Sequence, residues 1–282
     1  MYDASRRFYC EVVELLISVG CRTLVGDESF LYFLKGRKLH GCVTVHVDDF
    51  QLAGTDIFKS EISDIIAKRF QISKREYGSF KFTGVDVSKE DRRLVVAQNS
   101  FADSLEQEDV NADSQEGKRP LNRDEMKKFR GASGKLQWLS EMTRPDIAYD
   151  CLELSCHSRD ATVSDLKSVN KVIRKAKQHE SVISFSKIGP FEDLKILVVS
   201  DGAYFKQEEK TKSVMGRFIF LSNSDETIVS PLVWKCKTIP TVCKSAKDAE
   251  TRSADKALED AIYVARCVRE VYTGDRGEHR FL

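Results

Sequence analysis

The chain has 282 residues, 32% of them charged and 41% hydrophobic, enough for one large core or two domains and too apolar for a disordered tail. Lys plus Arg (45) nearly cancels Asp plus Glu (44), so the net charge is +1 and no global basic field points to a nucleic-acid partner. The eight cysteines include no CxxC pair, the first residues lack a leader pattern, and no apolar run approaches membrane-spanning length. Zinc-finger spacing and a secreted disulfide framework are therefore excluded, and the expectation is a soluble intracellular protein with reduced thiols.

In chain order, residues 1–20 read as an amphipathic helix, with Phe8, Val12, Leu15, Leu16 and Val19 at helical spacing and Gly20 placed to stop it. A hairpin is predicted from Phe30 to Val47. Val43, Val45 and Val47 then alternate as one face of a half-buried strand, and Phe50, Leu52 and Ala53 suit a returning strand. Asp48 and Asp49 thus fall at a hairpin turn. Two carboxylates about 4 Å apart repel by about 1 kcal/mol in water and about 4 kcal/mol at a surface-like dielectric, so a divalent cation is a natural companion. An Asp-Asp pair is also a common solvated turn. A helix follows over Ile57–Phe70, and residues 77–107 read as paired strands about the turn Lys89–Arg92, then the start of a helix.

The polar stretch Asn111–Asn122 is the linker candidate. Helical patterns run from Asp124 to Met142, Asp146 to His157 and Ser164 to His179, with Pro145 and Asp146 suited to a first turn. Basic residues cluster at Lys68, Arg69, Lys74 and Arg75, and again at Lys118, Arg119, Arg123, Lys127, Lys128, Arg130 and Lys135. Such stripes attract a phosphate backbone, and solvated helix faces explain them equally well. Cys156 and His157 are ligand types, but filler roles account for both. From Leu194 a nearly continuous apolar run ends at Asp201, as in a buried strand leading a carboxylate to a sheet edge. Met215–Leu221 and Ile228–Lys235 are further strand patterns, and residues 244–272, which include Glu250, form a long helix.

Several phrases, in order, resemble those of the Pol polyprotein of copia-type LTR retrotransposons. Asp3–Tyr9 (DASRRFY) resembles GLxDASRxWY, and Val45–Gly54 (VHVDDFQLAG) is similar to the YxDD hairpin of reverse transcriptases with its DLLIAG-type continuation. Phe82, Gly84, Val85 and Gln98 match a further segment, with Phe101 standing for its usual Tyr, and GKLQWLSEMTRPDIAYD, residues 134–150, resembles the connection phrase G-x-L-x-W/Y-L-x-x-x-TRPDI. That phrase reads as packing of thumb and connection helices. The last region is similar to the ribonuclease H phrases SDADWAG, SxxGYxxFL, ISWKSKKQ and SSTEAEYxA.

The resemblance implies an α+β chain: a partial palm (1–97), thumb and connection helices (98–190) and a partial ribonuclease H-like α/β domain (191–282). It implies RNA-directed DNA polymerisation with hydrolysis of the RNA strand, Mg2+ or Mn2+ as cofactor, and primer-template, RNA/DNA hybrid and deoxynucleotides as partners. No membrane is involved, and the setting is a cytoplasmic particle or the nucleus. Asp48 and Asp49 take the polymerase metal positions, and Asp201 and Glu250 take the nuclease strand and helix positions. Asp248, two residues before Glu250, also falls on a family acid. Departures are His46 in place of Tyr, Gly202 and Tyr204 beside Asp201, and Lys247, Thr251 and Arg252 around Glu250.

On this alignment the chain begins after the strand with the third polymerase aspartate and ends before the strand with the third nuclease aspartate. The alternative expectation is thus an inactive remnant that binds nucleic acid or protein and self-associates through exposed edges. An unrelated metal-dependent phosphotransferase ranks last, because no Walker-type or GxGxxG phrase is present.

Overall fold

In the computed structural model, which describes residues 2–110, 117–205 and 212–276, helix α1 (Tyr2–Ser18) ends where Gly20 takes a φ of +96°, a conformation that glycine adopts without penalty. Val12 and Leu16 on its inner face are fully buried against an antiparallel sheet of four strands in sequential order: β1 (Cys21–Leu24), β2 (Asp27–Lys35), β3 (Lys38–His46) and β4 (Asp49–Gly54). The alternation of Val43 and Val45 fixes which face of β3 meets the core. Thr55 caps the helical stretch that follows, α2 (Asp56–Phe58), a single π turn over Lys59–Ser63, and α3 (Asp64–Arg69). Phe58, Ile62 and Ile66 close the core of this unit, which comprises Met1–Tyr77 and Ala261–Leu282.

The second unit is Gly78–Asp260. It opens with β5 (Ser79–Phe82), β6 (Val85–Glu90) and β7 (Arg93–Ala97), joined by tight turns, and α4 (Asn99–Ser104). The long helix α5 (Arg123–Met142) starts at a capping box: the Asn122 side chain accepts from the N–H groups of Asp124 and Glu125, and Glu125 accepts from the Asn122 N–H. A 3-10 turn at Pro145–Ile147 leads into α6 (Ala148–Cys156), and α7 (Val163–Gln178) follows. Leu136, Leu139, Ile147, Leu166 and Val169 are fully buried in the core these helices share.

Strand β8 (Val182–Ser186) pairs with β7 and completes a second sheet in the order β5-β6-β7-β8. Strands β9 (Lys195–Ala203), β10 (Val214–Ser222) and β11 (Val229–Thr238) form a third antiparallel sheet with β10 in the middle. Helix α8 (Ala246–Thr273) supplies residues to both units, dividing at Asp260. The fold is α+β, and among the described residues no helix is long and apolar enough to cross a membrane.

Strands β1 and β8 are not predicted from the sequence, since each is too short for its alternation to stand out. The linker candidate Asn111–Asn122 is described in part. Residues 111–116 lie outside the described residues, but 117–122 are tied down: Pro120 bridges Thr162, and the N–H groups of Leu121 and Val163 donate to the carbonyls of Ala161 and Arg119. A polar composition permits a loop without requiring a free one.

Candidate functional site

The β3–β4 hairpin presents the first carboxylate pair. His46 is paired with Asp49, so the loop is the two residues Val47 and Asp48. Val47 has a φ of +55° at a position that glycine usually fills, a strained conformation for a β-branched side chain. Asp48 and Asp49 are both exposed at this tip.

The second pair is assembled by a close helix–strand contact. At the end of β9, Gly202 lies so near α8 that a Cβ there would stand 2.5 Å from the Ala249 carbonyl carbon and oxygen and 2.7 Å from the Glu250 nitrogen. Only glycine permits that approach. The Gly202 N–H donates to Glu250 Oε2 at 3.2 Å, and Ser253 Oγ donates to the carbonyl oxygens of Asp201, at 2.7 Å, and Gly216, at 3.3 Å. Asp201 and Glu250, distant in sequence, are thereby brought to adjoining positions with both residues exposed.

Neighbouring acids have other duties. Asp248 Oδ2 accepts from the Lys244 N–H at 3.0 Å and Oδ1 from Arg252 Nε at 2.7 Å, so the start of α8 is held together; these bonds keep its carboxyl below the ordinary range. Asp260 accepts from the buried Arg217, Nε at 2.7 Å, and from Lys235 at 3.3 Å. Burial works to raise the Asp260 carboxyl, but the two cations outweigh it and hold it low. Among the described residues no group of three or more His, Cys, Asp and Glu is arranged to hold a metal ion, so each carboxylate pair stands as a pair.

The TRPD phrase is a packing knot. Arg144 is 1% exposed, yet each of its three guanidinium nitrogens is bonded: Nε and one terminal nitrogen fork onto Asp146 at 2.8 and 2.9 Å, and the other terminal nitrogen donates to the Ala176 carbonyl at 2.6 Å. Thr143 Oγ1 donates to the buried Gln98 Oε1 at 2.9 Å, and Phe101 meets Trp138 edge-on with centroids 4.6 Å apart. Trp138 covers Gly84 so closely that a Cβ there would come within 2.7 Å of its ring. A half-open cavity of about 360 Å3 lies between α5 and β11, lined by Gln137, Glu141, Trp234 and Lys237; Asp48, Asp49, Asp201 and Glu250 are not among its lining residues.

The basic clusters sort into paired and outward-facing members. Arg69 is paired with Glu11, Lys74 with Glu76, and Arg119 forks onto Glu125, while Arg130 donates to the Ser158 carbonyl. Arg123, Lys127, Lys128 and Lys135 are exposed along α5, where Gly131 and Gly134 leave open space above the helix backbone. Their spacing puts them on one broad face. His157, a ligand type by its chemistry, bonds Asp165 at 2.7 Å.

No family model matches the chain, and no curated protein matches it. Among solved structures it is similar to the foamy viral protease-reverse transcriptase in complex with RNA/DNA hybrid, at 13% identity and a TM-score of 0.46. The match covers 92% of this chain, which spans 31% of the length of that one.

Proposed function

We propose that this chain is a segment of a copia-type LTR retrotransposon Pol polyprotein, with palm (1–97), thumb and connection (98–190) and ribonuclease H-like (191–282) regions. By itself it binds RNA/DNA hybrid and primer-template in the cytoplasmic particle or nucleus without turning them over. The lineage activity is RNA-directed DNA polymerisation with hydrolysis of the RNA strand. The observation that supports this reading best is the Gly202 contact, which seats the helix residue Glu250 against β9 one residue from Asp201.

Carboxylate oxygens are the donors that Mg2+ or Mn2+ takes, and Mg2+ commonly uses one or two carboxylates with water and substrate phosphates completing its shell. On this reading Asp48 with Asp49, and Asp201 with Glu250, all exposed, are the residues that would hold such ions. A bound ion supplies charge stabilisation at a phosphodiester and a lowered pKa for the attacking water or hydroxyl. The chain's own residues orient it, with the Gly202 N–H fixing the Glu250 carboxylate and Ser253 tying α8 to β9 and β10. A two-metal clamp needs more ligands than either pair provides, which is why binding without turnover is expected.

The exposed basic face of α5 supports the binding half of the proposal. Four cations against phosphate give a log–log salt slope of about −3.6 for a duplex. The test is fluorescence anisotropy with a labelled hybrid, run beside primer extension and hybrid cleavage in Mg2+. Expected are salt-dependent binding that weakens in a Lys127→Glu, Lys128→Glu, Lys135→Glu variant, and no product. Absence of binding at low salt overturns the nucleic-acid reading. Product made by the parent and lost in Asp48→Asn, Asp49→Asn or Asp201→Asn overturns the inactivity.

A further inference from the structure

The cavity of about 360 Å3 between α5 and β11 takes no part in the carboxylate sites, and every residue that lines it belongs to the second unit. On β11, Trp234 and Cys236 are two residues apart and share one face of the sheet; on α5, Gln137 and Glu141 are one turn apart. Trp234 Nε1 donates to the Ser140 carbonyl at 2.8 Å, so the indole is pinned and its polar edge is spent. What the ring offers a ligand is its π surface. Gln137 Nε2 donates to Glu141 Oε1 at 2.7 Å, which leaves the Gln137 amide oxygen as an acceptor. Lys237 pairs with that same Glu141 oxygen at 3.8 Å, beyond hydrogen-bond reach, and both side chains are more than half exposed, so this pair is loose. Burial pushes the Cys236 thiol up although Lys237 draws it down, so the sulfur is neutral and sets no charge against an anion.

We propose that this cavity binds a nucleotide, with the base against the Trp234 indole, a base amino group on the Gln137 amide oxygen and the phosphate on Lys237. Ligand sites occupy about 300–1,000 Å3, so the cavity has room for one mononucleotide and is too small for a duplex. Aromatic side chains hold single bases by stacking, and a lysine takes a phosphate as a point charge. An aliphatic ligand would make no use of Lys237 or Gln137, and an inorganic anion would make no use of Trp234, whereas a nucleotide engages all three. Phosphate and the Glu141 carboxylate compete for one ammonium, and because Glu141 is exposed it returns to water at little cost when displaced. Two sources carry this chemistry, a free mononucleotide and an unpaired residue of a single strand.

The test is calorimetric titration of the full chain with AMP, adenosine and a short single-stranded oligoadenylate, beside alkylation of Cys236 followed by peptide mass spectrometry, with the exposed Cys10 as internal reference. AMP is expected to bind with a dissociation constant of about 1 mM or tighter and to protect Cys236 but not Cys10. Trp234→Leu is expected to weaken AMP and adenosine alike, at least about fivefold, the loss of one stacked base. Lys237→Glu is expected to erase the advantage of AMP over adenosine while leaving adenosine unchanged, and Glu141→Gln to tighten AMP alone. Circular dichroism melts matching the parent show that the two charge variants remain folded. Oligoadenylate that protects Cys236 better than AMP assigns the strand as the source, and AMP that protects as well or better assigns the free nucleotide; either upholds the site. AMP that neither binds nor protects Cys236 overturns it, as does AMP binding that Lys237→Glu and Glu141→Gln both leave unaltered. AMP is titrated without any hybrid, so failure here and failure of the hybrid reading are separate results.

Discussion

Replacing Gly202 by alanine puts a methyl group where α8 leaves no room. The nearest atoms would be Ala249 C and O at 2.5 Å and Glu250 N at 2.7 Å, all backbone, so no side chain can swing aside and helix and strand must part by roughly 1 Å to restore ordinary contact. Overpacking of this kind costs about 1–3 kcal/mol. The Gly202 N–H bond to Glu250 is lost with it, worth about 1 kcal/mol once the exposure of Glu250 is allowed for. The sum is about 2–4 kcal/mol, which for a unit of the size of Gly78–Asp260 lowers the melting temperature by about 5–15 °C. Circular dichroism melts of Gly202→Ala beside Gly216→Ala measure it. At Gly216 an added methyl would meet nothing within 4 Å, so its substitution is expected to stay within about 0.5 kcal/mol of the parent. Equal melts for both variants would show that α8 is not seated on β9 at Gly202.

Arg144→Ala is expected to cost about 3–5 kcal/mol in urea unfolding, and Arg144→Lys an intermediate amount, because an ammonium cannot reproduce the fork onto Asp146 and the bond to the Ala176 carbonyl together; a lysine variant as stable as the parent counts against this. In the first unit, Glu270 is 2% exposed and accepts from the Val25 N–H and Tyr32 Oη, so Glu270→Ala is expected to cut hydrogen-exchange protection of the Val25 amide at least about tenfold, corresponding to about 1.4 kcal/mol or more. Protection unchanged in the variant would remove Glu270 as the anchor. Arg119, then the Asn122 N–H, hold the Glu125 carboxyl at about 2, below its ordinary 4.5. A depressed carboxyl contributes stability that is complete above the unfolded value and fades as pH falls through the folded one, so the contribution disappears between pH 4.5 and about 2. Glu125→Gln is expected to flatten the stability–pH curve in that window; an unaltered acid limb refutes the assignment.

What the sequence makes legible follows from the length of each pattern. The valines of β3 alternate long enough to locate the Asp48–Asp49 hairpin, and the run from Leu194 to Asp201 locates β9, although it reads as a buried strand and Val198 and Val199 are exposed. Strand β8 is five residues between a helix and a Gly-Pro loop, and its identity as a strand comes from pairing with β7, which is distant in sequence. The Asp201–Glu250 proximity is likewise a tertiary fact. Gly202 carries a signal for it, since a glycine ending an apolar strand often marks close backbone approach, but the sequence does not say what approaches. Arg144 is a different case: the phrase that holds it reads as helix packing, but the sequence does not show that the arginine itself is buried, held by a carboxylate only two residues on. The basic run near α5 reads as uniform, whereas Arg119 and Arg130 are engaged locally and the outward face is left to Arg123, Lys127, Lys128 and Lys135.

The acids divide by what their loss does to the fold. Asp146, Asp165, Asp260 and Glu270 are each engaged by an ion pair or a backbone N–H, Asp146 and Asp165 at the start of their own helical turns and Asp260 and Glu270 across to a strand or its turn. Asp48, Asp49 and Asp201 are exposed and their carboxylates hold no such contact among the described residues, so their charges add nothing to folding that a cation does not supply. At Asp48 and Asp49 they cost about 1 kcal/mol of mutual repulsion if the carboxylates approach to about 4 Å in water. Residues kept for binding are commonly neutral or unfavourable for stability. Asp48→Asn and Asp201→Asn are therefore expected to melt at or slightly above the parent without divalent ions. Mg2+ at ten times its dissociation constant for a pair stabilises the unit that carries that pair by RT ln 11, about 1.4 kcal/mol, and this increment shrinks in the variant whose pair loses a ligand. Variants that lose stability without Mg2+, or gain as much from it as the parent does, would show that these carboxylates are fold residues and not the ion-holding ones.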